Sequence, residues 1–330
     1  MPSNAKRMFP FFAAVAAALL LFSCARVPAA PVNIGGTDIS AGIWAYYLDS
    51  VTAKPAEYGL SPMAGKAEYI AKTNALCAEY IAVNTEIYRL GLSLGGDSRA
   101  AVSETVNNLW RVYGAHYASL GVDKPTLTKI HTNQSMRETL FLHAYDTGGK
   151  QEVPDEEIKA YFNSNFVVFR AVNGYFTSTA EDGTVTDLPP AQVTALKDKF
   201  NGFLERLGEG ESLEDIAEIY AAEQGSSFGT APTSILRKGS TSYPAGFFEK
   251  VAALEPGGTA VLAFDKYIFL VEREDAFVND AEYYLRYRTQ CLTALRIDEF
   301  DADIADIAQG YDIVENDKEI EKLYKKIHTA

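Results

Sequence analysis

The sequence predicts an α+β protein, and three observations carry that expectation. Residues 40 to 165 place apolar side chains at helical spacing, residues 166 to 275 mix strand-like and helix-like runs, and residues 276 to 330 return to helical spacing. Strand and helix do not alternate regularly, which argues against a doubly wound nucleotide-binding or solute-binding architecture. A chain of 330 residues, 47% hydrophobic and 22% charged, is long enough for two domains.

The first element is a segment to be removed. Lys6 and Arg7 precede a run from Phe9 to Phe22 that is almost wholly apolar, the order of an export signal. It falls short of the roughly 20 apolar residues that cross a bilayer. The run ends at Leu21-Phe22-Ser23-Cys24, which resembles the lipobox of bacterial lipoproteins. That resemblance implies cleavage of residues 1–23, a diacylglycerol on the Cys24 thiol, and a mature chain outside the cytoplasm moored to a membrane by lipid. An ordinary secretory signal beside an incidental cysteine is the alternative.

After a proline-containing spacer, VNIGGTDIS reads as a short strand and a turn. Ser40 then caps a helix in which Ile43, Tyr47 and Val51 share a face. A long helix is expected from Met63 to Leu90 and is broken at Leu92-Ser93-Leu94-Gly95-Gly96. Asp97 or Ser98 can cap the next, with Val102, Val106, Leu109, Tyr113 and Tyr117 along one side up to Gly121. Pro125 opens a further helix that runs to Tyr145. Pro154, followed by three acids where the helix dipole favours them, opens another.

At Phe166 the pattern changes. FVVFRAVNGYFTST (Phe166 to Thr179) is aromatic and β-branched with no helical period, hence a strand. Asn173 and Gly174 interrupt it and admit two readings: a remodelled active-site position, or a polar residue beside a glycine bulge. A polar loop, TAEDGTVTDLPP, leads to a helix with Val193, Leu196, Phe200, Phe203, Leu204 and Leu207 on one face. Ser212 caps a shorter helix, SLEDIAEIYAAE, with Asp215 three positions on. A Gly-, Ser- and Pro-rich loop precedes a helix within YPAGFFEKVAALEPGG, and TAVLAF and YIFLVERE form a hairpin across Asp265-Lys266. The tail from Asn279 reads as one long helix or two, then a short strand at YDIVEND and a charged last helix.

The order strand, helix, helix, helix, strand, strand over residues 166–275 is similar to that of a parvulin-type peptidyl-prolyl isomerase domain. Phe169-Arg170-Ala171, SLEDIAEIYA and FFEKVAALEPGG carry the likeness. The flanks, residues 24–165 and 276–330, resemble the helical chaperone domain of extracytoplasmic foldases of the SurA and PrsA kind. The resemblance therefore implies a helical domain, completed by the C-terminal helices, with a small parvulin-like domain inserted.

It also implies site positions. The family's two histidines fall on Asn173 and Tyr267, its Cys or Asp near Glu223, and its proline pocket on Tyr243 and Phe247. No histidine occurs between Phe166 and Asp275. The resemblance thus implies a foldase that binds unfolded or exported polypeptides, with isomerase activity weak or lost. An active isomerase using Asn173, Glu223 and Tyr267, and a scaffold lipoprotein with one dedicated partner, are the alternatives.

Charge and cysteine usage narrow the rest. A net charge of −14 argues against nucleic acid and against electrostatic adhesion to anionic lipid. Cys77 and Cys291 sit in helical sequence and read as small buried hydrophobes. The four scattered histidines suggest no metal site, and no cofactor is expected.

Overall fold

The computed structural model describes residues 29–225, 229–278 and 281–329. The expected signal peptide and Cys24 lie outside them. In chain order the elements are β1 (Val32–Ile34), β2 (Thr37–Ile39), α1 (Ala41–Ala53), α2 (Lys66–Arg89), α3 (Gly96–Leu120), α4 (Lys124–Tyr145), α5 (Asp155–Asn165), β3 (Phe166–Tyr175), β4 (Thr177–Thr179), β5 (Val185–Asp187), α6 (Pro190–Gly208), α7 (Leu213–Glu223), β6 (Ser234–Arg237), α8 (Phe247–Ala252), β7 (Thr259–Ala263), β8 (Tyr267–Arg273), α9 (Ala281–Gln309), β9 (Ile313–Glu315) and α10 (Asp317–Thr329). The fold is α+β, helix-rich with small antiparallel sheets. No helix of the described residues is long and apolar enough to cross a membrane.

Two compact units divide the chain: the described residues up to His143 with those from Glu299 onward, and residues 144–298. In the first, Gly35 and Gly36 turn the β1–β2 hairpin at φ 54° and 81°, backbone that suits glycine. Strand β9 pairs antiparallel with β1 on its other side, giving the order β2-β1-β9. Ser40 caps α1 by accepting from the Ile43 amide at 3.4 Å. The buried Trp44 Nε1 donates to Asn74 Oδ1 at 2.9 Å, and Asn74 Nδ2 donates to Glu315 Oε1 at 2.6 Å. That relay ties α1, α2 and β9 together and satisfies an indole N–H that burial would otherwise leave unpaired. The cap of α3 is Gly95, not Asp97 or Ser98, and Pro154 is itself the cap of α5.

In the second unit a four-stranded sheet has the order β6-β3-β8-β7, every neighbour antiparallel. Its two faces follow from strand alternation. One face, through Val172 and Leu270, packs on Phe200 and Phe203 of α6 and Leu213 and Ile216 of α7. The other, through Val167, Phe169 and Phe269, packs on Phe247, Phe248 and Val251 of α8. Each buried phenylalanine on the two faces contributes roughly 1.5–3 kcal/mol of transfer free energy.

Two departures from expectation concern strands. The loop expected at residues 179–190 holds β5, which pairs with β4 in a hairpin whose strands bury no side chain. Strand β6 begins where a loop was expected to end. A third concerns Gly174. The β3–β8 register runs without a break from Phe169↔Arg273 to Tyr175↔Tyr267, so the glycine is not in a bulge. A Cβ there would meet Phe200 Cε2 and Cζ and Ile268 Cγ2 at 3.0 Å: the residue is glycine because these side chains leave no room for a methyl.

Candidate functional site

Along β3, Ala171, Asn173 and Tyr175 share the face that α8 covers. Helix α8 is only six residues long, so its phenylalanines fill the space near Phe169 and leave the far end of the strand open. There a cleft of about 440 Å³ is lined by Asn173, Tyr175, Ser242, Tyr243, Tyr267 and Phe269 among others. That volume suits a side chain or a short peptide segment.

The floor is aromatic. Tyr243 stacks on Phe247 with ring centroids 4.4 Å apart and meets Phe169 edge-on at 5.3 Å. Tyr267 lies over Phe269 at 6.1 Å and meets Tyr175 at 5.7 Å. The Asn173 amide Nδ2 donates to the Tyr175 hydroxyl at 2.9 Å, which fixes both side chains above the rings.

Of the positions that the family resemblance singled out, Asn173, Tyr243 and Tyr267 come together in this cleft. Asn173 and Tyr267 occupy neighbouring strands, but the partner of the Asn173 amide is Tyr175 and not Tyr267. Phe247 is wholly buried beneath Tyr243 and is not among the residues lining the cleft. Glu223 closes α7 on the opposite face of the sheet, where Lys199 Nζ donates to it at 2.7 Å. It stands by a second cavity of about 550 Å³, lined by Leu196, Lys199, Tyr220 and Gln224 and reaching Tyr175 and Thr177. Tyr175, Ser242 and Phe269 were not singled out from the sequence. The two-residue spacing of Tyr175 from Asn173, and of Phe269 from Tyr267, is the signal that could have found two of them.

The lining offers an amide, three phenols and two small hydroxyls, and no carboxylate, imidazole or thiol. Burial raises the Tyr243 hydroxyl above its ordinary range, so at neutral pH it is a protonated donor and no base. The cleft can hold an apolar or aromatic side chain and hydrogen-bond a peptide group beside it. Among the described residues, no group of three or more His, Cys, Asp or Glu stands ready for a metal. Cys77 and Cys291 are both free and buried, and burial pushes the Cys291 thiol up to about 11.

No family model and no curated protein matches the chain. Among solved structures it matches foldase protein PrsA from Lactococcus lactis at 14% identity and a TM-score of 0.38, over 90% of this chain and 98% of that one. It matches foldase protein PrsA from Streptococcus pneumoniae at 14% identity and a TM-score of 0.31, over 80% and 87% of the two chains. A SurA-like chaperone structure from Campylobacter jejuni matches at 11% identity and a TM-score of 0.28, over 87% and 99%. These are structures of the kind that the sequence resemblance names.

Proposed function

We propose that this protein is an extracytoplasmic foldase of the chaperone type that holds unfolded or newly exported polypeptides. In this reading Cys24 carries the lipid anchor, residues 24–165 and 276–330 form the chaperone domain, and residues 166–275 are a parvulin-type module with weak or lost isomerase activity. Asn173, Tyr243 and Tyr267 are the module's substrate-facing residues, with Phe247 as the support beneath Tyr243, and Glu223 is a solvated helix-end acid.

The observation that carries the proposal is the composition of the cleft. The two positions that the resemblance assigns to imidazoles, Asn173 and Tyr267, line one aromatic cleft with Tyr243 of the implied proline pocket, and they present an amide and a phenol in place of the imidazoles. Rotation about a prolyl bond faces a barrier of roughly 18–20 kcal/mol. Only contacts stronger to the twisted amide than to the planar one lower it. An aromatic floor grips both alike, so it favours holding over turning.

One pair of assays tests this. An equimolar amount of the protein is expected to suppress aggregation of a chemically unfolded client. In a protease-coupled assay a prolyl peptide is expected to isomerise at its uncatalysed rate. No suppression, even in stoichiometric excess, would overturn the chaperone reading, and clear acceleration would overturn the loss of catalysis. The mass of the mature N-terminus tests the anchor separately, with an unlipidated Cys24 as the contrary result.

A further inference from the structure

Strand β3 pairs with β6 from Phe166 to Phe169 and with β8 from Phe169 to Tyr175, so its second half is paired on one side only. Its bonds to β8 fall on alternate residues, as the Phe176 amide to the Lys266 carbonyl at 2.9 Å and the Glu274 amide to the Val168 carbonyl at 2.9 Å show. In that register Val172 and Gly174 bond to β8, and the N–H and C=O groups of Ala171, Asn173 and Tyr175 point to the other side. On that side β6 pairs only as far as Phe169↔Ser234. Extending the ladder by two residues would set Pro232 opposite Ala171, and proline has no N–H to give. The chain turns away instead. The carbonyl of Ala231 accepts from Arg170 Nε at 3.0 Å, and the Arg170 guanidinium is held among Glu214, Glu272 and Glu274. Among the described residues nothing bonds the outward backbone groups of Asn173 and Tyr175, and both residues are exposed, Tyr175 by 52%.

We infer that this vacated stretch of β3 takes an extended polypeptide segment as an added strand, antiparallel to β3 and in line with β6. The inference rests on the proposed reading of this unit as a polypeptide-binding module and says how the segment is held. A partner strand's residues opposite Asn173 and Tyr175 exchange backbone bonds with them and point their side chains to the aromatic cleft. The residue between, opposite Gly174, points to the other face, where the second cavity lies beside Leu196 and Tyr220. The occupant is thus a β-prone segment with aromatic or apolar side chains at alternate positions and free N–H groups at those positions. Proline at a bonding position is refused.

The test uses the full chain, ¹⁵N-labelled, with a short peptide that alternates phenylalanine and threonine. Peptide is expected to slow hydrogen exchange at the amides of Asn173 and Tyr175 and to leave those of Val172 and Gly174, already bonded to β8, unchanged. N-methylation of the phenylalanine positions removes the bonding amides and is expected to weaken binding about tenfold or more. N-methylation of the threonine positions is expected to leave affinity within about twofold. Equal affinity for both methylated peptides, with exchange at Asn173 and Tyr175 unaltered, would overturn strand addition alone. Failure of the unmethylated peptide to bind at all would overturn it together with the module reading beneath it.

Discussion

Replacing Gly174 by alanine separates a glycine demanded by packing from one demanded by a bulge. The new methyl would sit 3.0 Å from Phe200 Cε2 and Cζ and 3.0 Å from Ile268 Cγ2, about half an ångström inside ordinary contact. Phe200 is wholly buried and braced by Phe203 at 5.7 Å and Tyr220 at 5.3 Å, so its ring has little room to retreat. Overpacking of this kind costs about 1–3 kcal/mol. Alanine recovers about 0.5–1 kcal/mol by restricting the unfolded chain. The net expectation is a loss of about 0.5–2 kcal/mol, read as a lower urea midpoint with an unchanged slope. Gly202, on α6 with nothing within 4 Å of its would-be Cβ, is the control, and Gly202→Ala should stabilise by about 0.5–1 kcal/mol. If both substitutions stabilise alike, the close approach of Phe200 to β3 is wrong.

Other outcomes follow from single contacts. Asn74→Ala leaves the Trp44 indole N–H buried without its acceptor, and should cost about 1–3 kcal/mol in urea unfolding followed by tryptophan fluorescence. The Tyr284 hydroxyl, donating to Asp155 at 2.6 Å, together with Lys159 and Arg288, holds the Asp155 carboxyl below its usual range. A depressed folded-state value adds stability that is present above the unfolded value of about 3.9 and is lost as pH falls through the folded one. The urea midpoint should therefore fall in acid, and Asp155→Asn should lower it at neutral pH and converge with the parent in acid. A constant gap at every pH would contradict this. Glu223→Gln removes an ion pair with both partners well exposed and lying off the cleft, so client binding and stability should stay as they were. A loss of client binding would restore Glu223 to the site.

Much of the fold was legible because long amphipathic helices announce themselves. The helices of the first unit, the caps at Ser40 and Ser212, the glycine turn of the first hairpin and the Asp265-Lys266 hairpin were all readable from local pattern. What escaped has no local signature. Strands β4 and β5 bury nothing and so show no apolar alternation. Strand β6 has one buried residue, Leu236, and follows a stretch that reads as loop. The reason for Gly174 is a ring 26 positions further on, beyond any window along β3. The candidate site was half legible. Asn173, Tyr243 and Tyr267 came from the family resemblance, whereas the placing of Glu223 on the far face and of Phe247 under Tyr243 depends on sheet register and helix docking. Tyr175 needed only the strand's two-residue period, and Pro232's effect on β6 needed the pairing itself.

Ser242→Trp tests the account most directly. Ser242 is exposed at the cleft and buries nothing, so an indole there should occupy the space above Tyr267 and Phe269 and leave the fold intact. With the urea midpoint unchanged, light scattering of an unfolded client should show the parent protein preventing aggregation at equimolar ratio and the variant failing to. A variant that protects the client as well as the parent would place holding elsewhere on the chain and contradict the account.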